Sequence, residues 1–222
     1  MRHRTVRDVM TTDVVTVRVG TPAKDVAEQL DRHRISGVPV LDEAGHVAGV
    51  VTATDLLHKI TYQEDGDEWP RFLRRHRVDR EKAHGTTAND LMTSPATTIG
   101  PDASIVEAAT VLESGGVKRL PVVDVVGALV GIVSRADLVK VFTRPDHQIR
   151  DEIVTDVVER ALLLPPAAIT VDVTEGVVTL RGHLERRSEA VLAAALARRV
   201  DGVVRVVDEL GYLNDDTRYV YA

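Results

Sequence analysis

Gly49-Val-Val-Thr-Ala-Thr-Asp55-Leu and Gly131-Ile-Val-Ser-Arg-Ala-Asp137-Leu are one phrase written twice in the chain. A glycine and two β-branched residues predict the end of a strand. A hydroxyl residue with Asp three positions later predicts the start of a helix. Thr52 and Ser134 then stand at the N-cap, and Asp55 and Asp137 at the third helical position, where a carboxylate is favourable to the helix dipole. The junction has a second capacity. The first N–H groups of a helix are open to an anion, and a carboxylate beside them can accept hydrogen bonds from two vicinal ribose hydroxyls. Capping and ligand contact are compatible, and the recurrence of the junction strengthens the second reading.

Working outward, the two phrases belong to a gapless duplication with an offset of 82, which sets Met10 on Met92, Thr16 on Thr98, Ala27 on Ala109, Pro39 on Pro121, Gly45 on Gly127 and Asp55 on Asp137. Each copy predicts the order β-α-β-β-α. A short strand (Val14–Val17; Thr97–Ile99) and a turn with proline lead to a helix (Ala23–His33; Ser104–Ser114) with apolar residues at helical spacing. Two strands follow (Gly37–Leu41 and Val47–Thr52; Arg119–Val123 and Leu129–Ser134), and the last helix begins near Asp55 or Asp137. A unit of about 50 residues is marginal alone, so the two copies are expected to pack side by side. The expected division is repeat 1 over 1–60, a charged linker arm over 61–86, repeat 2 over 87–145, a separate domain over 146–215 and a tail over 216–222.

The pattern Met-Thr, Thr-Val, Gly-Val-Pro-Val-Leu-Asp and Gly-Val-Val-Thr-x-x-Asp-Leu resembles a CBS domain, and two of them resemble a CBS pair, or Bateman module. The resemblance covers roughly Val6–Val141 apart from the linker. It implies an α/β fold with two clefts between pseudo-twofold-related repeats, binding AMP, ADP, ATP or S-adenosylmethionine, and it implies homodimers. Carried over residue by residue, it puts Asp137 and Asp55 on the ribose, and Ser134 and Thr52 near the phosphate. Thr16, Thr98 and Ile99 would border the base, together with the segments Ile35–Pro39, containing Val38 and Pro39, and Val117–Pro121, containing Pro121. Some pairs of this kind bind no nucleotide and serve only as dimerisation scaffolds.

The two expected sites differ in charge. Lys118, Arg119 and Arg135 in repeat 2 face Ser36, Gly37 and Ala53 in register. Phosphate oxygens favour charge-assisted donors, so these three mark the better phosphate site; the alternative is a solvated cationic rim. The linker runs from acidic (Glu64, Asp65, Asp67, Glu68) to basic (Arg71, Arg74, Arg75, Arg77). Trp69, Phe72, Leu73 and His76 share one predicted helical face. This describes either an arm packed on the module or a dimer mate, or a basic arm that closes over phosphates.

Beyond Arg144-Pro145 the register is lost. The order becomes α-β-β-α-β: a helix Asp146–Leu164, strands Ile169–Val173 and Val177–Gly182 about a Glu175-Gly176 hairpin turn, a helix Glu185–Val200 and a strand Val203–Leu210. Ile-Thr-Val-Asp-Val-Thr-Glu-Gly-Val-Val-Thr-Leu-Arg-Gly-His-Leu with Val-Asp-Gly-Val-Val-Arg-Val-Val-Asp-Glu-Leu resembles a BON domain, an α+β fold, over about Asp146–Leu213. The resemblance implies contact with phospholipid, for which Arg181, Arg186 and Arg187 would supply cations; a protein partner is the alternative.

Composition narrows the classes further. The absence of cysteine removes thiolate chemistry and cysteine zinc sites. A net charge of −6 argues against binding nucleic acid through its phosphates. No Walker loop, G-x-G-x-x-G or G-x-S-x-G is present, and the eight histidines are scattered without metal-ligand spacing. The expectation is a non-enzymatic regulatory protein of the cytoplasm with no obligatory cofactor.

Overall fold

A computed structural model describes residues 4–63 and 84–219. The linker features at Trp69, Phe72, Leu73 and His76 lie outside the described residues. Two compact units are present: Thr5–Arg135, and the residues from Ala136 onward together with Arg4.

In the first unit, the β-branched runs form β1 (Val17–Arg18), β2 (Gly37–Leu41) and β3 (Val47–Thr52), in the order β1-β2-β3. β1 runs parallel to β2, and β2 antiparallel to β3. The second copy repeats the hairpin as β4 (Arg119–Val123) and β5 (Leu129–Ser134), with the same register: Val40 pairs with Gly49, and Val122 with Gly131. The first predicted strand of each repeat is shorter than expected. Val14–Val17 is replaced by β1, which pairs only at Val17 and Arg18 and ends where the Thr21 hydroxyl accepts from the Arg18 N–H. Thr97–Ile99 contracts to a single parallel bridge from Ile99 to Val122, the mate of Val17 and Val40.

Helices Ala23–Arg32 and Ile105–Ser114 cover these sheets with Val26 and Leu30, and with Ala108 and Leu112, at helical spacing. Ser104 caps the second helix by accepting from Glu107 N at 3.1 Å. The chain leaves both helices in the left-handed region, at Gly116 (φ 62°) in one repeat and at its register partner Arg34 (φ 51°) in the other.

The repeats interlock. Val6 N donates to Ala103 O, and Ala88 N to Thr21 O, each at 2.8 Å. Thr11 and Ile132 exchange both backbone hydrogen bonds, as do Thr93 and Val50. Every contact in the first half of these pairs maps onto the second by the 82-residue offset, with the roles of the repeats reversed. His46 and Ala128, which are register partners, bridge directly to each other, so a pseudo-twofold axis passes between them. The exchange explains two recurring residue types. A Cβ at Gly49 would lie 2.6 Å from Met92 Sδ and 2.8 Å from Thr93 O; at Gly131 it would lie 2.6 Å from Met10 Sδ and 3.1 Å from Thr11 O. Each glycine admits the methionine and backbone of the opposite repeat. Ala88 and Leu91, from the segment entering repeat 2, are fully buried in the core of repeat 1 beside Val26, Val38, Val40 and Val51.

The second unit begins within the helix Arg135–Val139 and continues through a 3-10 turn, Lys140–Thr143. The predicted helix 146–164 divides into an α-helix, Asp146–Glu152, and a wider i→i+5 stretch, Ile153–Ala161. This helical run ends at Ala161, and Leu163 (φ 56°) takes the left-handed region two residues ahead of Pro165. β6 (Thr170–Thr174), β7 (Val177–Arg186) and β8 (Arg205–Asn214) form one sheet in that order. β6 and β7 are an antiparallel hairpin turning at Glu175 (φ 51°) and Gly176 (φ 71°). The Asp146 carboxylate accepts from both turn N–H groups, at 2.8 and 3.0 Å. β7 and β8 are parallel, which requires the crossover helix Arg187–Ala197. Its alanines pack with Ile149, Ile153, Val157, Val178, Leu180 and Leu184 in the core.

Replacing Gly49 or Gly131 by alanine is expected to destabilise the first unit by about 1–3 kcal/mol through overpacking, read as a lower thermal midpoint.

Asp90 generates a second prediction. It accepts from Thr86 N (2.9 Å), Thr87 N (3.0 Å) and Thr87 Oγ1 (2.9 Å). These donors, the backbone ones foremost, hold its carboxyl below the ordinary carboxylate range. Its contribution is present above about pH 4 and is lost as pH falls through the depressed value. The difference in melting temperature between the native protein and Asp90→Asn is therefore expected to narrow below about pH 4.

Candidate functional site

The antiparallel register sets Gly37 opposite Thr52, so the entrance to β2 and the exit from β3 share one end of the sheet. There the first unit holds a cleft of about 250 Å³. Repeat 1 lines it with Ser36, Val50, Thr52, Ala53 and Thr54, and repeat 2 with Thr93, Pro95, Ala96, Thr97, Gly116, Val117, Lys118 and Arg119. Five of these residues carry hydroxyls and two are cationic; none of the described lining residues is acidic.

Arg119 crosses the cleft. Its Nη1 donates to Gly37 O at 2.6 Å, and its Nη2 donates to the Ser36 hydroxyl. Gly37 is the register partner of Arg119, so the side chain reaches its own equivalent position in the other repeat. A Cβ at Gly37 would lie 3.2 Å from Arg119 Nε and 3.0 Å from Val51 O. The glycine leaves room for the guanidinium. Lys118 is exposed at the rim.

Asp55 is buried, with 7% of its surface exposed. Its Oδ2 accepts from Thr52 N at 2.8 Å and Thr52 Oγ1 at 2.7 Å. It is not among the lining residues, yet it fixes one of them, Thr52. The remaining sequence candidates are distributed as follows. Arg135 donates to Val117 O (3.2 Å) and Leu112 O (3.1 Å), the second being one of the open carbonyls that end the helix Ile105–Ser114. Ser134 closes β5, and Asp137 pairs with Lys140 at 2.9 Å in the second unit. Val38, Pro39 and Pro121 are buried within their strands. Thr98 and Ile99 line a separate shallow hollow with Arg7 and Asp102, and Thr16 lines another with Arg18 and Asp25. The structure thus gathers Thr52, Lys118 and Arg119, and distributes the others.

Thr54, Thr93, Thr97 and Gly116 were not singled out by sequence. The hydroxyl-rich run Thr93-Ser-Pro-Ala-Thr97 was the available signal, but it became legible only once the entry segment was seen to cross to the opposite repeat.

In the second unit, the three arginines expected to meet lipid are engaged to different degrees. Arg181 pairs with both Asp172 and Glu209 at 2.6 Å. Arg187 pairs with Asp215 at 2.9 Å and lies 5.8 Å from the Tyr212 ring centre. Hydrogen bonds from Ser188 hold the Asp216 carboxyl low, with a smaller contribution from the charge of Arg186. No described helix is long and apolar enough to cross a membrane, and the described residues contain no group of three or more His, Asp or Glu suited to a metal.

A duplicated β-α-β-β-α unit whose halves interlock about a shared cleft has the architecture of a paired regulatory module. The CBS domain family matches residues 6–62 and 88–144, and the BON domain family matches 145–214; the chain belongs to the CBS-domain family, as a tandem pair followed by a BON domain. An uncharacterized protein of Methanocaldococcus jannaschii is 31% identical over 150 residues, covering 61% of this chain and 89% of that one. The chloroplastic CBS domain-containing protein CBSX1 of Arabidopsis thaliana is 31% identical over 139 residues, covering 58% of each. The chain therefore spans under two thirds of that relative. The solved structure of CBSX2 in complex with AMP aligns with a TM-score of 0.54 and 31% identity, over 61% of this chain and 94% of that one. Homoserine O-acetyltransferase of Methanohalophilus mahii is 30% identical over 60% of this chain, but only 23% of that enzyme is covered.

Removing the Asp55 carboxylate in Asp55→Ala is expected to cost about 1–2 kcal/mol of stability without any ligand, as the loss of a helix cap does. Denaturant unfolding of the ligand-free variant measures it.

Proposed function

We propose that the protein is a non-enzymatic regulatory sensor of the cytoplasm that takes an adenosine-type nucleotide into the Thr52–Arg119 cleft. The observation that carries this reading is the meeting of Lys118 and Arg119 with the hydroxyls of Ser36, Thr52, Thr54, Thr93 and Thr97 in a recess with no acidic residue among its described lining. Two cations and five hydroxyls suit a phosphate and its sugar. The volume of about 250 Å³ lies just below the roughly 300–1,000 Å³ usual for ligand pockets, which favours a ligand no larger than a mononucleotide. The AMP complex of CBSX2, at 31% identity, supports the same ligand class. In this reading Asp55 acts through Thr52, whose N–H and hydroxyl it holds at the cleft wall, and the output passes to the BON domain or to a partner.

Homodimer formation draws support from the closing helices. Leu57 and Ile60 in repeat 1 are 57% and 65% exposed, and their register partners Val139 and Phe142 are 61% and 60% exposed. A helix that leaves an apolar face in water is suited to a second copy. A ligand-free scaffold would use these faces alone. A phospholipid role for the BON domain draws less support, since Arg181 and Arg187 already face carboxylates.

Isothermal titration with AMP, ADP, ATP and S-adenosylmethionine separates the sensor from the scaffold. Saturable binding of a nucleotide, weakened about tenfold or more in Lys118→Ala by loss of a charge-assisted contact, is the expected result. Heat changes indistinguishable from dilution for all four at millimolar concentration would leave the scaffold.

A further inference from the structure

We infer that the helix Ile105–Ser114 of one copy docks on the helix Arg187–Ala197 of a second copy, apolar stripe to apolar stripe, with Glu113 meeting Arg198 and Arg199. The contact is separate from the nucleotide cleft and from the faces of the closing helices.

The duplication supplies an internal comparison. The helices Ala23–Arg32 and Ile105–Ser114 hold the same place in their repeats and bury equivalent residues, Val26 and Leu30 in one, Ala108 and Leu112 in the other. Their outward faces differ. Lys24 and Glu28 are exposed in the first, and their register partners in the second are Val106, 67% exposed, and Thr110. The Thr110 hydroxyl turns back and donates to Val106 O at 2.9 Å, and exposed Ala109 lies beside it. Repeat 1 carries charge at these positions, so the fold does not require valine at 106. The stripe Val106, Ala109, Thr110 ends at exposed Glu113, and the one further charge on this face, Glu107, has the same sign.

The helix Arg187–Ala197 carries the complement. Its outward stripe is Val191 (55% exposed), Leu192 (46%) and exposed Ala195, and it ends at exposed Arg198 and Arg199. Among the described residues, no ion pair engages Glu107, Glu113, Arg198 or Arg199. Val106 and Glu113 are seven residues apart, as are Val191 and Arg198. Two turns of helix, about 10 Å, therefore separate the apolar anchor from the charge on both. Helices laid in the same direction seat Val106 against Val191 while Glu113 meets Arg198. Burial of the stripes supplies the attraction, and the opposite charges set register and partner. One helix face on another is at the small end of interface sizes, so the association is concentration-dependent and weakens in salt.

The test follows the full chain by sedimentation velocity over a range of concentrations, with thermal melting as the check on folding. Glu113→Arg, and separately Arg198→Glu with Arg199→Glu, are each expected to move the midpoint of self-association about tenfold to higher concentration by setting like charges together. An equimolar mixture of the two reversed chains is expected to associate as the native protein does, since every contact between them pairs opposite charges again. Val106→Lys copies the residue type at position 24, and it is expected to keep the thermal midpoint while weakening association. Reversed chains that associate as well as the native one, or that stay apart when mixed, would overturn the contact and leave the closing-helix faces as the route to a dimer. A native protein that sediments as a monomer throughout would overturn both, and the nucleotide reading would stand.

Discussion

The backbone exchange of Thr11 with Ile132 and of Thr93 with Val50 is the constraint on which the first unit depends. Within its own repeat, the three-stranded sheet has an outer edge at β3 and the two-stranded sheet of the other copy has one at β5. Unpaired edges invite association. Each repeat meets this need by laying its entry segment along the edge of the other. Gly49 and Gly131 have no side chain because a methionine from the opposite copy occupies that space, and Ala88 and Leu91 complete a core to which they are not adjacent in sequence. The cleft is a by-product of the same exchange, since Thr93–Thr97, the continuation of the crossing segment, forms one of its walls.

On that symmetric frame the chemistry is placed asymmetrically. Backbone contacts obey the twofold relation closely, down to the matched bridges Thr5 to Ser104 and Pro22 to Thr87. Side chains at the cleft do not, for Arg119 and Lys118 have Gly37 and Ser36 as their equivalents in the other repeat. Fold symmetry costs nothing in hydrogen bonding, because backbone groups are the same in both copies. Function needs only one copy to carry charge, and a second guanidinium opposite the first would place like charges across a narrow recess.

Much of the architecture was legible in the sequence. β2, β3, β4 and β5 fall on their predicted bounds, because β-branched runs and the intervening turns, Asp42–Gly45 and Asp124–Gly127, are local signals. The helix ends were harder to place. Gly116 announces its left-handed residue, whereas Arg34 adopts the same conformation without announcing it. The wide turns of Ile153–Ala161 left no mark on the apolar periodicity. At the cleft, residue type identified Lys118, Arg119 and Thr52, but a cation's partner is not written beside it in the chain. Arg135 looked equivalent to Arg119, yet it is occupied by carbonyls of Leu112 and Val117. Thr98, expected beside the base, lines a separate hollow while its neighbour Thr97 lines the cleft, since successive side chains of extended chain point to opposite faces.

The reciprocal lending of entry segments bears on how such a chain arose. A lone forerunner of one repeat would have had no donor for its open edge except another molecule of itself, and the twofold now running past His46 and Ala128 would then have been the dyad of a dimer. A dyad inside one chain, unlike one between identical molecules, lets glycine at position 37 stand opposite arginine at position 119.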